Sequence, residues 1–304
     1  MQTTSTVLMI RPVDFGFNAE TAVNNAFQVQ SADDNIQEKA LAEFDGFVNL
    51  LITNGVDVTV INDSLHPHTP DSIFPNNWIS FHINGTICLY PMYASNRRPE
   101  RKPDIIQALH DRFMIKQKID LTHYEKDNRF LEGTGSMVLD RENKKAYACL
   151  SQRTDILVLQ DFCAKMDYSP VTFQAFDTGG QPIYHTNVMM CIADQYAVVC
   201  LSSLQKKAER EQLQDVIADS GKEVIDISVD QMNHFAGNML QLQNLAGEPL
   251  LVMSTQAFQS LSREQHSKLQ SYNKILHAPL SNIETSGGGS ARCMIAEIFL
   301  PQKK

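Results

Sequence analysis

The sequence predicts an α/β fold built as a ring of five like units. Three observations predict it. The chain opens as strand, helix, strand. Paired apolar runs that read as hairpins then begin again and again, about fifty to sixty residues apart. Between them lie helix-like segments, each followed by a further candidate strand. A fixed period of this size marks an array of one supersecondary unit. No linker rich in Pro, Gly or Ser divides the chain, so residues 1–304 read as a single domain.

Residues 7–10 form the first strand candidate. Residues 35–53 show helical spacing, with Leu41, Phe44, Phe47, Val48 and Leu51 on one face, and Gly55 ends that run before a buried strand over 56–61. Residues 79–83 and 86–90 flank Asn84-Gly85, the strongest short hairpin signal. Comparable pairs are 137–139 with 146–150, 188–192 with 196–201, and 239–242 with 250–253. A last strand is predicted over 293–300, and with the first it would close the ring. Helices are predicted over 104–113, 155–165, 203–220 and 262–271.

Composition narrows the function. With a net charge of −9, nucleic acid is not an expected partner. No run approaches the length of a membrane span, and no basic leader precedes an apolar core, so a cytoplasmic protein is expected. Six cysteines lack CxxC or zinc spacing; Cys88, Cys149, Cys163, Cys191 and Cys200 lie in core-like segments. His66-Pro67-His68 has no evident third ligand and reads as a loop turn, so no metal is predicted.

The hairpin starts carry the oddest polar residues in the chain: Asn76-Asn77, Glu132-Gly133-Thr134-Gly135, His185-Thr186-Asn187, Gly237-Asn238 and the stretch from Gly289 to Cys293. In a ring of repeats equivalent positions converge, so a thiol, an imidazole and a carboxylate distant in sequence would meet. Gly287-Gly288-Gly289 lets backbone approach a ligand, and Cys293 after it is expected partly exposed, where a strand or helix begins. A thiol needs a base, a histidine supplies one, and a carboxylate orients the histidine. Cys293, His185 and Glu132 fill those roles. Asn233-His234-Phe235 is placed either to line the pocket or to pack beside it.

These residues resemble the guanidine-modifying enzymes of the amidinotransferase superfamily: arginine deiminases, dimethylarginine dimethylaminohydrolases and glycine amidinotransferases. The resemblance implies the pentein fold, a five-bladed pseudosymmetric α/β propeller of ββαβ repeats, with no organic cofactor and no metal. Pro70-Asp71-Ser72-Ile73-Phe74 is similar to a segment of the dimethylarginine hydrolases. Ser95-Asn96-Arg97-Arg98 and Ser151-Gln152-Arg153-Thr154 resemble that group's two arginine segments, which implies that Arg97 and Arg153 bind a substrate carboxylate. Leu131-Glu132-Gly133 and the Gly-Gly-Gly-x-x-Arg-Cys ending resemble the supporting-acid and nucleophile segments. Cys293 is thereby implied as nucleophile, His185 as acid and base, and Glu132 as its support.

Departures from the family pattern shape the substrate expectation. Asn76-Asn77 stand where the hydrolases have Glu-Asp, Thr186-Asn187 where deiminases have Leu-Asp, and Gly135 where an Asp closes the acid segment. Amides in place of carboxylates suit a neutral ureido group, with Asn76, Asn77 and Asn187 as contacts and Asp71 holding a substrate N–H. The expected reaction is citrulline to ornithine, ammonia and carbon dioxide, most like the citrulline utilisation hydrolases. The alternatives are an arginine deiminase or dimethylarginine hydrolase, then an amidinotransferase, then a non-catalytic binding protein on the same scaffold. A small amino acid is the expected partner, with a homodimer as one expected assembly.

Overall fold

The computed structural model describes residues 1–25, 27–30 and 35–303. Among the described residues, fifteen strands form five three-stranded sheets of one pattern. In each, two antiparallel strands are followed by a helical crossover to a third strand, parallel to the second, because parallel neighbours need such a connection.

The first complete unit is β3 (Ile79–Phe81), β4 (Thr86–Leu89), helix Pro103–Arg112 and β5 (Gln117–Asp120). At its turn Gly85 takes φ +86° and the Asn84 side chain accepts from the amide of Thr86, as the Asn-Gly pair predicts. The next is β6 (Val138–Asp140), β7 (Lys145–Cys149), helix Ile156–Met166 and β8 (Ser169–Phe173). Asp155 caps that helix by accepting from the amides of Leu157 and Val158. The third is β9 (Met190–Ile192), β10 (Tyr196–Val199), helix Lys207–Asp219 and β11 (Glu223–Asp226). The fourth is β12 (Leu240–Gln243), β13 (Pro249–Ser254), helix Arg263–Tyr272 and β14 (Lys274–Ala278), its helix opened by a Ser262–Gln265 capping box.

The fifth sheet joins the two ends of the chain. Strand β15 (Ala296–Glu297) runs antiparallel to β1 (Thr6–Arg11), and β1 runs parallel to β2 (Asp57–Asn62) after helix Ile36–Thr53. That helix buries Phe44, Phe47, Val48 and Leu51, four of the five residues its spacing put on one face.

Three expectations need correction. The last strand covers only two residues, because residues 291–294 form turns instead. The third crossover helix begins at Lys207; residues 201–203 are a separate short turn. The glycines do not precede an element. They end one: helix Ser281–Gly287 stops at Gly288, whose left-handed φ of +64° closes the helix as its N–H donates back to the Glu284 carbonyl.

Each first strand of a unit is preceded by a tight turn or a single helical turn. These entries touch one another. Thr134 donates to the Asn76 carbonyl, Thr186 to the Ser136 carbonyl, and Asn238 to the Asn187 carbonyl. The amide of Arg292 donates to Asn238 Oδ1, and Gly289 packs on the Phe74 ring. No helix among the described residues is long and apolar enough to cross a membrane.

Candidate active site

The entry turns surround a cavity of about 20 Å³ lined by residues from three of them, from neighbouring loops and from a covering segment. Cys293, His185, Asp71, Asn77, Arg97 and Arg153 line it; so do Thr21, Asn25 and Tyr184. The sulfur of Cys293 is not partly exposed as expected: the residue is 5% exposed. Side-chain amides face it rather than the start of an element, with Asn187 Nδ2 at 3.4 Å and Asn238 Nδ2 at 3.2 Å from Sγ.

His185 and Glu132 form a buried pair, Nε2 to Oε2 at 2.7 Å. Glu132 Oε1 accepts from the amide of Tyr93 at 2.9 Å, and Arg153 Nη1 lies 3.5 Å from Oε2. Burial alone would push the Glu132 carboxyl up, but Arg153, the His185 bond and Arg97 together hold it well below the usual range. Desolvation lowers the His185 imidazolium to about 4, against the opposing pull of Glu132. The imidazole is therefore neutral at neutral pH. With Nε2–H given to the carboxylate, the lone pair is on Nδ1. Among the described residues the ring shares no hydrogen bond with the sulfur, though both line the cavity. Gly135 packs on the edge of this ring: a methyl there would meet the Asn77 amide and stand 2.9 Å from Nδ1.

The two arginines are more heavily committed than the resemblance implies. Arg97 Nε and Nη2 hold Glu100 at 2.7 and 3.0 Å, and Nη1 holds Asn77 Oδ1 at 2.9 Å. A substrate carboxylate would have to displace those partners from Arg97, which lines the cavity. Arg153 donates to the Thr21 carbonyl at 2.8 Å and to Asn24 Oδ1, and stacks over Tyr184 at 4.9 Å. Its two non-glutamate acceptors, Thr21 and Asn24, come from the covering segment.

Asp71 accepts from Asn18 Nδ2 at 2.7 Å and Thr21 Oγ1 at 3.2 Å through Oδ2, while Oδ1 is buried without a partner. Burial pushes this carboxyl up, against Arg97, Asn18 and Arg153. Asn77 Nδ2, Asn187 Oδ1 and both polar atoms of Asn76 are also buried without partners. An orphaned polar group costs about 1–3 kcal/mol. Asp71 and Asn77 line the cavity, and there a polar ligand would restore the missing bonds. Asn76 is fully buried and is not in the cavity lining, so its expected contact with substrate is not part of this geometry.

Sequence reasoning missed the covering segment and Asn238. Residues 18–29, except Ala26 outside the described residues, cross the cavity. Asn25 Nδ2 bonds the Gly288 carbonyl, Gln28 Nε2 that of Ser286, and the Val29 amide that of Thr285. A larger cavity of about 750 Å³ adjoins, sharing Asn25 and Tyr184 and lined also by Asn233 and Phe235. His234 instead points to Asp230 at the surface. Asn238 stood among the polar hairpin starts, so position alone could have found it.

A family model described as N,N dimethylarginine dimethylhydrolase, eukaryotic, matches residues 11–300. No curated protein sequence matches the chain. Among solved structures, apo ArgZ, an arginine dihydrolase from the ornithine-ammonia cycle in cyanobacteria, superposes with a TM-score of 0.75 at 18% identity. It covers 97% of this chain and 41% of its own. The N-terminal domain of ArgZ, as a cysteine-to-serine variant bound to substrate, gives 0.74 at 18% identity over 97% and 98%. A histidine-to-glycine dimethylarginine dimethylaminohydrolase carrying an S-methyl-L-thiocitrulline adduct gives 0.65 at 14% over 97% and 100%. The chain thus spans less than half of full-length ArgZ and nearly all of its N-terminal domain. These likenesses fix the fold as the α/β pentein-superfamily fold.

Proposed function

The chain belongs to the N,N dimethylarginine dimethylhydrolase family, a family of cysteine-dependent hydrolases, and we propose that its substrate is the guanidino group of arginine or a close relative, attacked by Cys293. One observation carries this reading. Three buried carboxylates, Asp71, Glu100 and Glu132, stand among two buried guanidiniums, Arg97 and Arg153, around the cavity. With His185 neutral and all three acids ionised the site is one positive charge short; burial raises Asp71, and raises Glu100 to about 7, so an entering cation is what draws them fully into the ionised form. A guanidinium supplies that charge and a neutral ureido group does not. This favours the guanidino alternative over citrulline as the entering substrate. The amides that suggested citrulline then serve a later stage: Asn77 and Asn187 can meet a ureido oxygen or N–H once the first nitrogen has left.

In this reading the thiol gives its proton to His185 Nδ1 as Sγ bonds the guanidino carbon. The imidazolium passes that proton to the departing nitrogen, and ammonia leaves. Water, deprotonated by the same imidazole, adds to the carbon, and the thiolate departs from a ureido product. A second passage over the same carbon removes the remaining nitrogen and yields ornithine, with the carbon leaving as carbon dioxide. The names of the ArgZ structures support that second passage. Glu132 holds the His185 tautomer, Asp71 Oδ1 receives a guanidinium N–H, and Arg153 takes the substrate carboxylate when Asn24 and Thr21 release it. The five sheets are the blades of one propeller and the chain is one catalytic domain; the contacts between entry turns support this.

The second reading is hydrolysis of dimethylarginine alone, favoured by the family match and by Pro70-Asp71-Ser72-Ile73-Phe74. Purified protein incubated separately with arginine, dimethylarginine and citrulline distinguishes them by assay of ornithine, citrulline, ammonia and dimethylamine. Arginine should yield ornithine and two ammonia. Dimethylamine released with arginine untouched would install the second reading, and loss of citrulline alone would restore the ureido-only reading.

A further inference from the structure

We infer that Asn238 is a further catalytic residue, a fixed hydrogen-bond donor to the reacting sulfur that stabilises the charge on Cys293 as its proton leaves for His185 and receives the sulfur back when the covalent adduct is hydrolysed. The inference deepens the function proposed above and rests on Cys293 being its nucleophile.

An asparagine amide can usually be turned over, exchanging its oxygen and nitrogen, so a contact from it to sulfur is ambiguous in sense. Asn238 cannot be turned. Its Oδ1 accepts from the backbone N–H of Arg292 at 3.1 Å, and a backbone N–H can only donate. Its Nδ2 donates to the backbone carbonyl of Asn187 at 3.0 Å, and a carbonyl can only accept. Exchange would set two donors and two acceptors against each other in a residue that is 1% exposed. The second hydrogen of Nδ2 is therefore committed to the sulfur at 3.2 Å, closer than the 3.7 Å at which the protonated thiol can donate to Oδ1, an acceptor already engaged by Arg292.

Asn187 presents a contrast at the same atom. Its Nδ2 is 3.4 Å from Sγ, but its Oδ1 has no partner, so nothing equivalent fixes its sense. One amide is locked as a donor to sulfur, and the other can serve sulfur or substrate. The lock is built from the entry turns of three units: Asn187 from the third, Asn238 from the fourth, and Arg292 beside the nucleophile in the fifth. No cation touches the sulfur among the described residues, so this neutral donor is the permanent stabilisation the thiolate has.

A donor to sulfur strengthens as the thiol loses its proton and weakens as sulfur becomes a thioether in the adduct. It strengthens again when the thiolate is expelled. The consequence is a sulfur whose developing charge is better held, and an adduct that breaks down faster, than without Asn238.

The test uses whole protein and iodoacetamide, with the alkylated peptide located by mass spectrometry and the rate followed from pH 5 to 10. In Asn238→Ala the midpoint of the Cys293 alkylation profile should move up by about one unit, so that alkylation below the midpoint slows about tenfold. Asn238→Asp keeps the size and the acceptor for Arg292 but removes the donor, and it should move the midpoint at least as far; it carries the test if the alanine variant does not fold. Either profile superimposing on the wild-type one overturns the inference. Failure of the function proposed above reads differently. In that case Cys293→Ala would still turn over substrate, while the alkylation profiles would remain measurable.

Discussion

The two sides of the cavity use opposite chemistry. The imidazole side is ionic: His185 against Glu132, with Arg153 behind and Arg97 nearby, all buried. The sulfur side is neutral: Cys293 meets the amides of Asn187 and Asn238 and no charge. The difference teaches how one pocket separates its tasks. Burial holds the imidazole neutral and the bond to Glu132 fixes its tautomer, ready to take a proton. Dipoles alone hold the nucleophile, leaving the local charge deficit for the substrate to fill.

The comparison breaks most completely at the sulfur. Cys293→Ala should lower kcat by about 10⁴-fold or more while the protein stays folded, since the residue deleted is small. Ammonia release and a melting curve on one preparation would check both parts.

Loss on the ionic side should be smaller in rate and larger in stability. Glu132→Gln leaves Arg153 facing a neutral partner in a fully buried setting, which costs roughly 3–5 kcal/mol by chemical denaturation. It should also reduce kcat by about 10²–10⁴-fold through loss of the His185 tautomer.

A pH series sharpens the same side. His185 is lowered from its ordinary 6.5 to about 4 in the folded protein. Between those values the unfolded chain binds a proton that the folded chain does not. Stability therefore falls as pH drops from about 6.5 toward 4, by about 3 kcal/mol at most. Glu132, held low, adds a loss of the same sign below its unfolded value. His185→Gln should flatten the upper part of this slope in urea titrations. For catalysis, the acid limb of kcat/KM should lie near 4, because only the unprotonated ring can accept the thiol proton.

The smallest effect is expected where the two sides meet. Gly135→Ala pushes a methyl against the Asn77 amide and the His185 ring. It should cost about 1–3 kcal/mol and reduce kcat with little change in KM.

Much of this was legible in the sequence, for physical reasons. Asn84-Gly85 and the recurring apolar pairs announce the units because turn chemistry and a two-residue period are local. Cys293, His185 and Glu132 were legible because they sit at the same place in different units. Arg97 was read from resemblance as a carboxylate binder, while Glu100, three residues on and able to occupy it, was not weighed. Residues 18–29 carry no periodicity, so nothing in the sequence marks them as the cover of the cavity. The expected last strand failed because an apolar run does not distinguish a buried turn from a strand, and residues 291–294 are turns buried around the nucleophile. The charge count around the cavity was beyond sequence reading altogether, since it depends on which acids and arginines are brought together.

The sheet that joins the chain ends has a consequence for assembly. Strand β1 pairs with β15 across almost three hundred residues, with Val7 opposite Glu297. Contacts that distant are slow to form. On a ribosome, the first strand can pair early with β2 but must wait for almost three hundred residues before its antiparallel neighbour β15 emerges. The nucleophile lies just ahead of that neighbour, so reactivity arrives with the final seam, and a half-made chain carries no competent thiol.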